Sequence, residues 1–407
     1  MADLHARYES WREARERARL ELAAGLTDRF DVERIDDDFG DVTSGGALAR
    51  FDGRFKVALA QAALARELRA SDERIAARGA AGAEPEELDE LRAERVAIRS
   101  ARLAQLGFAN ARAFAEALRP GVDYEHWRRE AERFLEASDS ALRSAERAPG
   151  AESAFAAELP GARLRSALDF ALEGMRLEPA RLPALRVDAE PRAGKHSAAL
   201  AGAPRIPDEV WLVFAPAPGA AAHERLFAAA GEALHLAFTS AALSFEKRVL
   251  GDPALGLAFA EVTRALCAEP ALGGTLAGVD PAHFAAATER RHLLELRATA
   301  ERVALELQLA ELAPGAAAPE LGEPGILASV GPALSSVDRL RAASFGVPLA
   351  RMLRARFGRE WWRTRGAGEL LKELWNTGAT YSPEALAREL SLPAPSAEAL
   401  LEAELAR

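Results

Sequence analysis

Apolar residues recur three and four positions apart through most of this chain, and that spacing commits it to helices. In the stretch 48–68, Leu48, Phe51, Phe55, Leu59 and Ala62 fall on one face. A second helix is expected from Pro85, a residue suited to the first helical position, to a stop before Gly107. A third is expected to start with Asp123 as its N-cap and run through "YEHWRREAERFLEASDSAL". Together they predict an N-terminal half built from antiparallel helical hairpins. No internal repeat at a fixed period is present.

The texture changes near residue 180. The run Val210-Trp211-Leu212-Val213-Phe214 is short, apolar and aromatic, and lies between Pro207 and Pro216. Those features predict a strand, and the flanking prolines point to a sheet edge. Helical spacing then resumes to the end, except in "APGAAAPELGEPGILASVGPAL". Pro314, Pro319, Pro324 and Pro332 exclude a continuous helix there, and a long surface connection or lid is expected.

Composition narrows the function classes. The formal net charge is -10, which argues against a nucleic-acid partner. Of 52 basic residues only Lys56, Lys195, Lys247 and Lys372 are lysines, so arginine clusters carry little functional weight by themselves. The single cysteine, Cys267, excludes an internal disulfide framework and reads as a buried small apolar residue. No apolar run is long enough to span a bilayer, and the charged first residues lack a signal-peptide core. A soluble, cytoplasmic, bacterial-type protein with no membrane association is the expectation. Asp36, Asp37 and Asp38 read as a solvated loop rather than a calcium site.

The order helical bundle, strand, then the helix "FAAAGEALHLAF" (Phe227 to Phe238) resembles the thimet oligopeptidase and oligoendopeptidase F family of zinc metallopeptidases. In that family the helix carries H-E-x-G-H-A-x-H. Histidines at i and i+4 bind zinc from one face, and the glutamate between them is the general base. Here the same positions read Ala228, Ala229, Ala230, Gly231, Glu232, Ala233, Leu234 and His235. The glycine, the second alanine and the last histidine match. Ala228 and Glu232 stand where the resemblance implies zinc histidines, and Ala229 where it implies the base. Further on, Gly251-Asp252 and Phe259-Ala260 match a family stretch whose third zinc ligand falls on Leu257. Residues 210–214 would be the family's edge strand, beside which peptides align. Leu334, Ser335 and Arg339 stand where the family has carbonyl-polarising aromatics, and residues 354–390 resemble its C-terminal helices, where Trp361, Trp362 and Trp375 read as packing anchors. The resemblance spans residues 120 to 400.

Zinc is the cofactor the resemblance implies, yet none is expected here. Ala228 and Leu257 supply no donor, Glu232 alone cannot make a site, and Ala229 removes the base. Four losses inside a kept framework predict a non-catalytic relative, a pseudoenzyme whose vestigial cleft binds a peptide or protein partner. Two other readings stay open. One is an active metallo-enzyme with a rearranged site from Glu232, His235 and Glu261. A variant of it is a carboxylate-bridged pair using the E-x-x-H pairs Glu232/His235 and Glu289/His292 with Glu261 and Glu173. The other is a structural partner of an intact paralogue. "HERLF" (His223 to Phe227) lacks a second histidine and reads as a solvated helix cap or ion pair, and His235 as a packed or hydrogen-bonded core residue. The expected fold is mainly α and zincin-like: two helical lobes around a cleft with a small central sheet. Its expected regions are 1–180, N-terminal and helical, and 181–407, the degenerate peptidase region with the C-terminal helices.

Overall fold

The computed structural model describes residues 2–27, 53–146, 155, 159–272, 280–313 and 334–405. The helices are α1 (Ala2–Ala23), α2 (Gly53–Ala80), α3 (Pro85–Gln105), α4 (Ala111–Leu118), α5 (Tyr124–Glu146) and α6 (Leu164–Glu173). After the strands come α7 (Ala220–Phe238), α8 (Phe245–Val249), α9 (Pro253–Arg264), α10 (Pro281–Ala310) and α11 (Ser335–Phe357). The chain closes with α12 (Arg365–Asn376), α13 (Pro383–Glu389) and α14 (Ala397–Leu405). The strands are β1 (Leu185–Asp188), β2 (Leu200–Arg205) and β3 (Glu209–Val213). Leu48, Phe51, residues 36–38 and the proline-rich stretch from Pro314 to Pro332 lie outside the described residues.

The chain forms two compact units, and they do not divide at residue 180. The first comprises residues 1–11, 33–132 and 298–338; the second comprises 12–32, 133–297 and 339–407. Each unit is assembled from three separated segments of the chain, so chain order and compact unit do not coincide. In the first unit α2 and α3 form an antiparallel hairpin tied by Arg78–Glu87, Arg74–Glu94 and Arg95–Asp72. Leu59 and Ala62 of α2 are buried, as their spacing requires. Asp123 caps α5, accepting a hydrogen bond of 2.9 Å from the His126 amide. Glu306 receives both the amide and the hydroxyl of Ser336, at 2.9 and 2.8 Å, which satisfies the start of α11.

The second unit holds the sheet, in the order β1-β3-β2, with β1 parallel and β2 antiparallel to β3. The apolar run at 210–213 is therefore the central strand, a correction to the edge position suggested by its prolines. Pro207 falls in the turn before β3 and Pro216 beyond its end, so neither removes a ladder donor. Phe214 lies just past the strand, its amide bonded to the Asp188 carbonyl at 3.0 Å. Val210 and Leu212 are buried in the main core with α7, while Trp211 and Val213 are buried on the opposite face against Leu20 of α1. Burial on both faces is why the run shows no alternation. Trp361, Trp362 and Trp375 are fully buried in the same unit and anchor its helices.

Candidate functional site

Helix α7 leaves the sheet from Gly219 and buries Leu226, Phe227, Ala230, Ala233 and Leu234 in the main core. Its small residues permit a very close antiparallel approach to α9. A Cβ built on Gly231 would collide with Thr263 Oγ1, the Phe259 carbonyl and the Ala260 Cα. Only glycine fits there. Toward the other end, the space a side chain on Gly256 would enter is bounded by the His235 ring. These contacts fix the axial register of the two helices. Residue 261 lies level with the turn from Ala228 to Glu232, and Leu257 lies one helical turn further along, toward His235.

Glu261 is the carboxylate in that place, and its Oε2 is held from two sides. Arg264 donates to it from Nε at 2.8 Å and from Nη2 at 2.6 Å, and His292 Nε2 from α10 lies 3.3 Å away. Burial pushes the Glu261 carboxyl up, but Arg264 and His292 outweigh it and hold it well below the usual range. A second ion pair adjoins the first: Glu224 of α7 meets Arg291 of α10, with Arg264 Nη1 3.9 Å from its other oxygen. Burial raises Glu224 to about 7 against the attraction of Arg291 and Arg264. Buried Cys267, close enough to sense this charge cluster, is pushed well above the ordinary thiol range by burial and by Glu224. α7, α9 and α10 are thus pinned together by an ion network rather than by apolar contact alone.

The residues singled out by sequence do not converge on one point. Ala229 is buried; Ala228, Glu232 and Leu257 are half-buried. Burial raises Glu232 to about 7, opposed by Arg339 and Arg19 and reinforced by Glu261. His235 is buried elsewhere, its Nε2 3.2 Å from the Gly378 carbonyl and its ring 4.9 Å from that of Phe259. Burial lowers its pKa to about 4, partly offset by the bond to Gly378. His235 is therefore a core residue, and the Glu232/His235 and Glu289/His292 pairs do not meet in one bridged site. The pair His223-Glu224 is an ion-pair element, as expected, yet it is buried, at 1% and 2% exposure, rather than solvated. Arg264 and Arg291 had no weight in the sequence. The i, i+3 spacing of Glu261 and Arg264 was the available signal; the partners on α10 depend on tertiary packing.

These shifts predict how stability varies with pH. A buried carboxyl with a raised pKa penalises the folded state where it is ionised, so stability rises as pH falls from 8 through about 7. Buried His235 has the opposite sign: its contribution is full above the unfolded value of 6.5 and is lost toward about 4. Thermal unfolding is expected to shift upward as pH falls from ~8 toward ~6, because Glu224 and Glu232 gain more than His235 loses there, with Glu224 alone supplying about 1 kcal/mol between pH ~8 and ~6.5. Glu224→Gln should roughly halve that slope, and an unchanged slope would remove Glu224 from the account.

A mostly helical chain with a small mixed sheet against α7, and α7 close-packed on α9, matches the helical zincin-like peptidase fold. No protein-family model and no curated protein sequence matches the chain; the likeness is carried by structure. A Bacillus anthracis strain Ames protein solved as an oligoendopeptidase F matches with TM-score 0.56 at 12% identity, covering 79% of this chain and 62% of that one. A Pyrococcus furiosus carboxypeptidase matches with TM-score 0.67 at 11% identity, over 98% of this chain and 97% of that one. Metallocarboxypeptidase 1 of Trypanosoma cruzi matches with TM-score 0.58 at 12% identity, over 100% and 99%. The chain spans less than two thirds of the Bacillus protein's length, and at these identities the shared property is the fold.

The fold implies a metal, and the residues present do not fit zinc. Ala228, Ala229 and Leu257 have no donor atom, and the Glu261 carboxylate is already held by a guanidinium, a cation that would repel a metal ion at that place. Among the described residues no group of three or more His, Cys, Asp or Glu is arranged to hold a metal ion. None of the described helices is long and apolar enough to cross a membrane.

Proposed function

We propose that this protein is a non-catalytic member of the zincin-like oligopeptidase group, whose α7–α9 region has been converted from metal chemistry to a structural core and whose remaining role is binding a peptide or a protein partner. The observation that carries this reading is the state of Glu261. It is level with the turn where the family's zinc ligands fall, and it is neutralised by Arg264 and His292 instead of being free to coordinate. In the same reading Ala228, Ala229 and Glu232 mark the lost ligands and base, and the lost third-ligand position moves from Leu257 to a retained but occupied Glu261. A rearranged site from Glu232, His235 and Glu261 is less favoured because His235 is turned to the Gly378 carbonyl. A cytoplasmic location belongs to the same proposal.

The test is direct. The purified protein, incubated with zinc and dialysed, should contain less than about 0.1 equivalent of metal and leave a quenched fluorescent peptide library uncut. Chelator-sensitive cleavage would refute the reading.

A further inference from the structure

The outer edge of β2 is not open. The carbonyls of Ala201, which is in register with Leu212, and of Ala203, in the irregularity between Gly202 and Arg205, flank Gly202. Both are taken by arginines of α1. Arg19 Nη2 donates to the Ala201 carbonyl at 3.2 Å; Arg12 donates to the Ala203 carbonyl at 3.2 Å and to the Pro204 carbonyl at 2.6 Å. Seven residues apart, the two guanidiniums lie on one helical face. Next to Arg19, Leu20, fully buried, packs on Trp211, Val213 and Leu200. Gly202 lies directly beneath, where a Cβ would collide with Glu16 and Arg19.

The cover is fastened at several further points. Arg17 forms a forked pair with Glu209, at 3.3 and 2.7 Å. The carbonyls at the C-terminal end of α1 are also held: Ala23 accepts from the His196 amide at 2.9 Å and Ala24 from Arg192 at 3.0 Å. The loop that supplies these donors is fixed by Lys195, whose ammonium is buried on Asp188 at 2.7 Å. Arg19 also lies within electrostatic reach of Glu232 on α7.

An uncovered strand edge presents unpaired backbone groups that recruit another strand, and natural proteins cover or charge such edges. Here the covering groups are cations aimed at carbonyl oxygens of β2. We infer that residues 12–24 are a self-bound cover on a strand-addition site, so that an extended peptide can pair with β2 only when this part of α1 has left. The inference deepens the binding role proposed above, and its test reads neither metal nor cleavage, so the two can fail separately.

Hydrogen exchange and peptide binding on the full chain decide it. The variant Arg12→Ala/Arg19→Ala should speed amide exchange in residues 12–24 and 199–206 by about tenfold or more, with residues 226–235 and 257–264 unchanged. A labelled octapeptide of alternating Thr and Val, which binds through backbone pairing alone, should bind this variant at least about tenfold more tightly than the unmodified protein. Leu20→Asp, which removes the apolar anchor instead, should act the same way; should it loosen α7 as well, the double arginine variant decides. Edge amides that stay protected when residues 12–24 exchange freely would overturn the inference. So would equal octapeptide affinity for the unmodified and opened proteins.

Discussion

Replacing Arg341 with alanine is expected to destabilise the second unit by about 3–5 kcal/mol, the range for removing one partner of a buried ion pair. Its side chain on α11 is fully buried and makes two forked pairs. One joins Asp252 at 3.1 and 2.6 Å, the other Glu384 at 2.8 and 2.9 Å. Asp252 is also the N-cap of α9, accepting from the Ala254 amide at 3.0 Å, and Glu384 sits in the first turn of α13. One guanidinium therefore fixes the starts of two helices, and its loss leaves two carboxylates facing each other without a cation. Against a total stability of about 5–15 kcal/mol this is severe, and thermal unfolding should fall by about 10 °C or more. Arg341→Lys should recover only part, because an ammonium cannot serve two forks. A loss below about 1 kcal/mol would mean that solvent screens the pairs.

The helical class was legible because it is local. Leu59 and Ala62, the Pro85 start and the Asp123 cap all appear where their spacing and chemistry put them, since i, i+3 and i, i+4 neighbours depend on sequence alone. The small sheet was legible as a strand at 210–213 but not in its order. Prolines flanking a run mark where it ends, whereas its position in the sheet depends on partners far away in sequence, Leu185–Asp188 and Leu200–Arg205. The continuous apolar run was itself the better signal, since a strand buried on both faces shows no alternation.

The candidate site was legible as a helix with a constrained glycine, and a side chain at Gly231 would indeed collide with α9. In the reading proposed above, its third carboxylate lies one turn from the position that the family pattern implies. Counting along a family pattern put it at Leu257, while the antiparallel packing of α7 and α9 puts residue 261 level with Ala228–Glu232. The ion network escaped notice for a related reason. Arg264, Arg291 and His292 are ordinary residues in an arginine-rich sequence, and only the packing of three helices brings them to Glu224 and Glu261. The cover on β2 was equally hidden, because Arg12 and Arg19 find their acceptors nearly two hundred residues away.

The largest gain expected from any change in this protein is a metal site. The variant Ala228→His, Ala229→Glu, Glu232→His and Arg264→Leu places two imidazoles at i, i+4 on α7 and releases Glu261 from its guanidinium. Two histidines and one carboxylate form a sufficient zinc set with a water position left open. His292 Nε2, 3.3 Å from Glu261 Oε2, can continue to orient the carboxylate. The half-burial of residues 228 and 232 leaves room for the rings without overpacking the core. Adding Leu257→Glu should contribute nothing, because that residue lies a turn away.

Zinc stoichiometry of this variant, measured beside the unmodified protein, tests the central claim that a peptidase framework persists around a dismantled site. The expected result is about one equivalent in the variant, reduced at least about tenfold in affinity by a further Glu261→Gln, with no zinc in the unmodified protein. A variant that unfolds as cooperatively as the unmodified protein and still binds no zinc would contradict the claim.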